Sequence, residues 1–180
     1  MGFKLSQRNL DKSKATKITG GTCAVSAIIA IVLSMDTGLR INQEGLELIG
    51  NAESCRRDPY MCPARVLTVG IGSTGKVENR RYSDEEIAEM WITDIKTAEE
   101  CVNKYANGRA MTDNQFSAVT SFTFNVGCGA LKKSTLARYA NRQQWQQMCS
   151  EFSKWVYIGK ERSKGLENRR AKEVALCTKS

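Results

Sequence analysis

Apolar side chains recur at three- and four-residue intervals over most of the chain, and one short stretch is β-branched and punctuated by glycine. Such spacing predicts a mostly helical fold with one small sheet. NQEGLELIGNAESC places Leu46, Ile49 and Ala52 on one face of a helix that ends near Glu53. ARVLTVGIGSTGKV reads as a strand and tight turn of the sheet. A long helix opens at a capping box, Ser83 with Glu86. Its stripe of Ile87, Trp91, Ile95, Ala98, Val102 and Tyr105, with Met90 beside it, runs toward Gly108. Further helices are expected at roughly 113–126, 134–141, 143–155 and 166–177. Only two prolines interrupt the chain, which suits a helical fold. The expected class is α+β: a small sheet lobe and a larger helical lobe joined by the long helix.

The N-terminus has a different pattern. Lys4, Arg8, Lys12, Lys14 and Lys17 precede residues 18–35, which carry no charge. A basic flank followed by an apolar run is the positive-inside signature, with the rest of the chain outside. About eighteen residues just suffice to span a bilayer. Gly20, Gly21, Thr22, Cys23, Ser26 and Ser34 dilute the run, so its hold on a membrane is weak. It reads as a cleaved signal peptide with a site at Val32-x-Ser34, as a permanent anchor, or as a segment that inserts and later leaves. The domain reading is a basic cytoplasmic N-terminus (1–17), an anchor segment (18–36) and a globular domain (37–180).

Charge and composition narrow the chemistry. A net charge of +8 favours a polyanionic partner such as nucleic acid, anionic lipid or acidic cell-wall polymer. The chain has no histidine, which removes Ser-His-Asp and Cys-His catalysis and His-ligated zinc. Acid–base work then falls to carboxylates, thiols, lysine or tyrosine. The seven cysteines include no C-x-x-C pair, which argues against a zinc ribbon. They suit an oxidising compartment, with three disulfides and one cysteine over. GIGSTGK (70–76) satisfies G-x-G-x-x-G, but Val77 stands where a P-loop needs Ser or Thr, and no helix is predicted to begin between this motif and Ser83.

Glycoside hydrolysis without histidine requires one carboxylic acid and a second group to handle water or the sugar. Glu53 suits the first role: at the last turn of its helix, the dipole disfavours its ionisation. From Glu53, eight residues lead to Cys62 and five more to Thr68, which opens Thr68-Val69-Gly70-Ile71-Gly72. This arrangement resembles the phage-type lysozymes, glycoside hydrolase family 24, whose pattern is Glu, eight residues, Asp or Cys, five residues, Thr. SFTFNVG (121–127) and GLENRRAKEVALC (165–177) extend the resemblance over about residues 43–177. The chain as a whole resembles the endolysins of that family that carry a signal-anchor-release segment and cysteine in place of the aspartate.

The resemblance implies a phage-lysozyme-like fold preceded by a signal-anchor helix, and cleavage of the β-1,4 bonds between N-acetylmuramic acid and N-acetylglucosamine in peptidoglycan. It implies Glu53 as general acid, Cys62 in the aspartate's place and Thr68 positioning water. Arg169 would pair with Glu53, and Phe124 and Asn125 would line the glycan cleft; Asn125 also reads as a helix C-cap. Arg56, Arg57 and Arg65 would depress the Cys62 thiol if they lie close to it. Asp58, off the motif, is the rival second carboxylate and otherwise a solvated loop charge.

A Cys55–Cys62 disulfide would block such a site. Cys23, hidden in lipid until the segment leaves the membrane, could then attack Cys55 and release Cys62. The resemblance pairs the remaining cysteines as Cys101–Cys177 and Cys128–Cys149. It implies no cofactor, no metal and no nucleic-acid partner. A monomer is expected, held at the host inner membrane facing the periplasm and later released. The competing reading is a membrane-tethered basic domain that binds cell-wall glycan or nucleic acid without catalysis.

Overall fold

The computed structural model describes residues 21–62 and 65–179. Residues 1–17 and the first three positions of the apolar run lie outside the described residues, as does Ala64 of the predicted strand stretch. The chain runs α1 (Val25–Ser34), α2 (Gln43–Ala52), β1 (Arg56–Met61), β2 (Leu67–Gly70) and α3 (Asp84–Tyr105). It continues through α4 (Asp113–Val126), α5 (Cys128–Lys133), α6 (Thr135–Asn141), α7 (Trp145–Glu151), β3 (Tyr157–Ile158), β4 (Glu161–Arg162) and α8 (Lys164–Cys177).

The long helix behaves as its sequence demands. Ser83 accepts from the Glu86 N–H while the Glu86 carboxylate accepts from the Ser83 N–H, and Asp84, Glu85 and Glu86 fill the first turn. Acidic groups there complement the positive end of the helix dipole. The stripe buries Ile87, Trp91, Ile95, Ala98 and Val102. The first three join a core with Leu46, Ile49, Val69 and Ile71. Val102 joins a second core around Phe116, Phe122, Leu136, Met148 and Phe152. One helix therefore carries both lobes.

The apolar run of the N-terminus supplies α1. Ile28, Ile29 and Val32 are buried in the first core, against α2 and α3. The fit requires a glycine: a Cβ on Gly50 of α2 would lie 2.5 Å from Val25 Cγ1. Among the described residues no helix is long and apolar enough to cross a membrane.

The structure corrects several expectations. The stretch between Cys55 and Cys62 is not a loop but strand β1, antiparallel to β2, with Arg56 opposite Gly70 and Tyr60 opposite Thr68. Alternation is hidden because Arg57, on the less exposed face between exposed Arg56 and Asp58, is itself charged and pairs with Asp84. The predicted 143–155 helix divides into α7 and a 3-10 turn, Phe152–Lys154. Helix α5 and the β3–β4 hairpin carried no periodic signal. The disulfides are Cys23–Cys55, Cys101–Cys128 and Cys149–Cys177. The pairings Cys101–Cys177 and Cys128–Cys149 are therefore wrong. Helix α5 starts at Cys128 and packs on the end of α3, bringing Cys128 to Cys101 with Cα atoms 5.6 Å apart. That leaves Cys177 on α8 opposite Cys149 on α7.

Candidate active site

Helix α2 stops where Glu53 adopts an extended backbone at its C-cap (φ −111°, ψ 152°). The Glu53 side chain is one-third exposed, and its Oε1 accepts from Arg169 Nη1 at 3.1 Å. Oε2 lies on the side of Gly72, where a Cβ would be 3.8 Å from it. Arg169 is buried on α8, donating also to Glu173 Oε1 at 3.3 Å and to the Ser121 carbonyl at 3.2 Å.

Glu173 is fully buried and accepts from Ser121 Oγ at 2.8 Å and from Arg170 Nη1. Arg170 continues the chain of contacts, donating to the Trp155 carbonyl and to Asn125 Oδ1 while its guanidinium lies over the Phe122 ring. Burial weakens the hold of Arg170 on its proton, and the neighbouring Glu173 opposes that. Two buried guanidinium groups share one buried carboxylate, which leaves one positive charge over. Glu53 sits at the exposed end of this network, with Oε1 against Arg169. The contact with Arg169 holds the carboxyl in one place.

The β1–β2 hairpin brings Cys62 and Thr68 together. The Cys62 N–H donates to the Val66 carbonyl at 3.0 Å, and Thr68 Oγ1 donates to the same oxygen at 3.0 Å. Arg65, with φ +58°, closes the turn by donating its N–H to the Cys62 carbonyl. Thr68 is buried, and Cys62 is the cysteine outside the three disulfides. Of the nearby arginines, Arg56 lies over the Tyr60 ring and Arg57 forks onto Asp84. Asp58 is half-exposed on β1 with Arg81 at 3.9 Å, a surface charge on a strand rather than a loop.

A groove of about 250 Å³ runs between the glycine turn after β2, the middle of α3 and the end of α4. Gly72, Thr74, Asp94, Thr97 and Phe124 line it. Asn125, one residue on, holds Arg170 instead and is absent from the lining; the α4 C-cap is Gly127. Asp94, Thr74 and Thr97 were not singled out in the sequence. Asp94 falls beside the apolar stripe of α3, where a polar residue reads as solvated surface. Its carboxyl accepts from Ser73 Oγ at 2.6 Å, and burial pushes it above the usual carboxylate range. Arg170 and Glu173 lie in the GLENRRAKEVALC stretch, where two arginines and a glutamate on one helical face are the available signal for the network. Among the described residues no group of three or more His, Cys, Asp or Glu side chains is placed to hold a metal ion.

The family model described as phage lysozyme matches residues 50–173. A SAR-endolysin of Escherichia phage P1 is 42% identical over 178 residues, covering 92% of this chain and 96% of the relative. Among solved structures, the active form of the P1 phage endolysin Lyz is similar with TM-score 0.83 at 42% identity, covering 88% of this chain and 96% of the other. The secreted inactive form of that endolysin is also similar, with TM-score 0.54 at 44% identity, covering 76% and 94%. With the Glu53–Cys62–Thr68 spacing carried by α2 and a β-hairpin, and a family model spanning that site, the chain belongs to the phage lysozyme family.

Proposed function

We propose that this chain is an endolysin that hydrolyses the β-1,4 bonds between N-acetylmuramic acid and N-acetylglucosamine in bacterial peptidoglycan during host lysis. The observation that carries this reading is the Glu53 carboxyl, fixed through Oε1 by buried Arg169 at the end of α2, with Oε2 beside groove-lining Gly72. Oε2 is then the oxygen that delivers a proton to the leaving glycosidic oxygen. Cys62, in the position of the family's aspartate, handles the water or the sugar, and Thr68 on the shared Val66 carbonyl positions the water. Phe124 offers an apolar face to the glycan, and Asn125 stiffens the same end of α4 through Arg170. In the test, Glu53→Gln keeps the shape and the Arg169 contact but cannot donate the proton. Wall hydrolysis should vanish while the melting curve stays within a few degrees. Wild-type digestion should yield new reducing muramic ends; anhydro sugars or cut peptides would overturn the assignment.

The N-terminal segment and the disulfides regulate this activity. The chain is first held as a monomer in the host inner membrane by residues 18–36, with the domain facing the periplasm and locked by Cys55–Cys62. It is later released whole, and Cys23 takes over Cys55. Two observations support this. Cys23 is bonded to Cys55, and residues 25–34 of the apolar run form α1, whose Ile28, Ile29 and Val32 lie in the domain core. The lock and the site also exclude one another by geometry. Seven residue steps of extended strand separate Cys55 and Cys62 by roughly 20 Å, whereas disulfide-bonded Cα atoms stand about 4.4–6.8 Å apart. Forming the lock must therefore dismantle β1, and with it the Cys62–Val66–Thr68 arrangement. The greater likeness to the active form of the P1 relative than to its inactive form agrees with an unlocked state here.

A further inference from the structure

Strand β1 has a second edge, and residues 21–23 occupy it. Thr22 pairs antiparallel with Arg56, the Arg57 N–H donates to the Gly21 carbonyl at 2.8 Å, and the Cys23 N–H donates to the Cys55 carbonyl at 3.2 Å. In this register Cys23 stands opposite Cys55, Cα atoms 5.1 Å apart. The Arg57 side chain reinforces the pairing. Its Nη1 donates to the Thr22 carbonyl, and Nε and Nη2 fork onto Asp84 at 2.8 and 2.9 Å, at the start of α3. Arg57 and Asp84 are both largely buried. Gly21 is suited to its place: its φ is +108°, and a Cβ would come within 3.2 Å of Asp58 Oδ2.

These contacts bear on a question the exchange raises. Cys23 thiolate attacks Cys55 Sγ, the Cys55–Cys62 bond breaks as the Cys23–Cys55 bond forms, and Cys62 leaves as thiolate; one disulfide replaces another with no oxidant. Chain entropy favours the wrong side. Closing a loop of 32 residues rather than 7 is disfavoured about tenfold by the three-halves power of loop length. Folded contacts present only in the unlocked isomer must reverse that bias.

We infer that Arg57, with Asp84 and Gly21, forms a receiving site for residues 21–23 of the released chain and sets the disulfide equilibrium toward Cys23–Cys55. This rests on the exchange proposed above. Arg57 is a positioning residue: it holds the arriving strand in register and touches neither Glu53 nor the groove.

The test uses full-length protein, released from the membrane and equilibrated in a glutathione redox buffer, with disulfides trapped and mapped by mass. In wild type the Cys23–Cys55 isomer should dominate. Arg57→Met should raise the Cys55–Cys62 fraction at least tenfold, and Gly21→Ala should shift it in the same direction through a different atom of the same site. Wall hydrolysis by Arg57→Met in a Cys55→Ser background, where no lock forms, should stay within about twofold of Cys55→Ser alone. An unchanged isomer ratio in both variants overturns the inference, and so does loss of hydrolysis in the Cys55→Ser background, which makes Arg57 a general structural residue. If wild type shows identical cysteine partners in membrane and soluble fractions, the exchange itself fails and the inference falls with it.

Discussion

Truncating one side chain in α1 separates two environments that the same segment is proposed to visit. Ile28 is completely buried, whereas Leu33 on the same helix is 51% exposed. Within a bilayer the two are nearly equivalent, each adding a few tenths of a kcal/mol to insertion. Within the released domain they are not. Ile28 packs in the core that holds Leu46, Ile49, Ile87, Trp91 and Ile95. Replacing a buried isoleucine by alanine costs roughly 2–5 kcal/mol, from lost transfer energy plus the cavity left behind. An exposed leucine costs about 0.5 kcal/mol or less. For a domain of this size each kcal/mol moves the melting temperature by about 2–4 °C, so a loss of about 3 kcal/mol means roughly 6–12 °C. Released, disulfide-intact full-length protein should therefore melt roughly 6–12 °C lower in Ile28→Ala and about 2 °C lower or less in Leu33→Ala. Membrane retention of the two variants before release should be equal. The assay is a thermal melt followed by far-ultraviolet circular dichroism, beside a membrane fractionation. Equal melting temperatures would refute the docking of α1 in the domain core.

The cysteines make a linked set of predictions. Cys62→Asp should hydrolyse cell wall even before membrane release, since it restores the family's carboxylate and cannot be locked, while Cys62→Ser should be severely impaired; equal activity of Cys62→Ser and wild type in a turbidity assay removes Cys62 from the mechanism. Cys23→Ser should leave the membrane yet stay inactive, and adding Cys55→Ser to it should restore lysis. A pH dependence follows from Glu99, whose buried Oε1 accepts from the Arg40 and Ile41 N–H groups at 2.9 and 2.7 Å. Burial holds its carboxyl above the usual range, so the fold favours the protonated form. That contribution is complete below the unfolded value of about 4.3 and is lost as pH rises through the raised folded value. Glu99→Gln keeps the acceptor, so denaturant melts should show the variant gaining on wild type with rising pH; parallel curves would count against it.

Much of the fold was legible because its helices carry complete local signals. The α3 capping box and stripe fixed the helix that joins the lobes, and α2 could end only near Glu53, where the apolar spacing stops. The Glu53–Cys62–Thr68 spacing was readable as a family resemblance, because a β-hairpin of set register keeps a set number of residues between its two ends. The sequence by itself also determined an uncharged apolar run at 18–35, interrupted by glycine, serine and threonine. What only the tertiary structure decided involves partners far apart in the chain. β1 shows no apolar–polar alternation because Arg57 on its inner face is charged and finds its partner, Asp84, 27 residues along the chain. The disulfide partners of Cys101 and Cys177 depended on α5, six residues long and without a periodic face of its own. Arg170, Glu173 and Asn125 joined Arg169 in one network only when α8 packed against α4. Likewise the fate of residues 25–34 was open, since the same apolar side chains satisfy a bilayer or a protein core. The packing of Gly50, Trp91 and Ile95 around that segment decided for the core, because shape complementarity between distant segments leaves no trace in the local pattern of either.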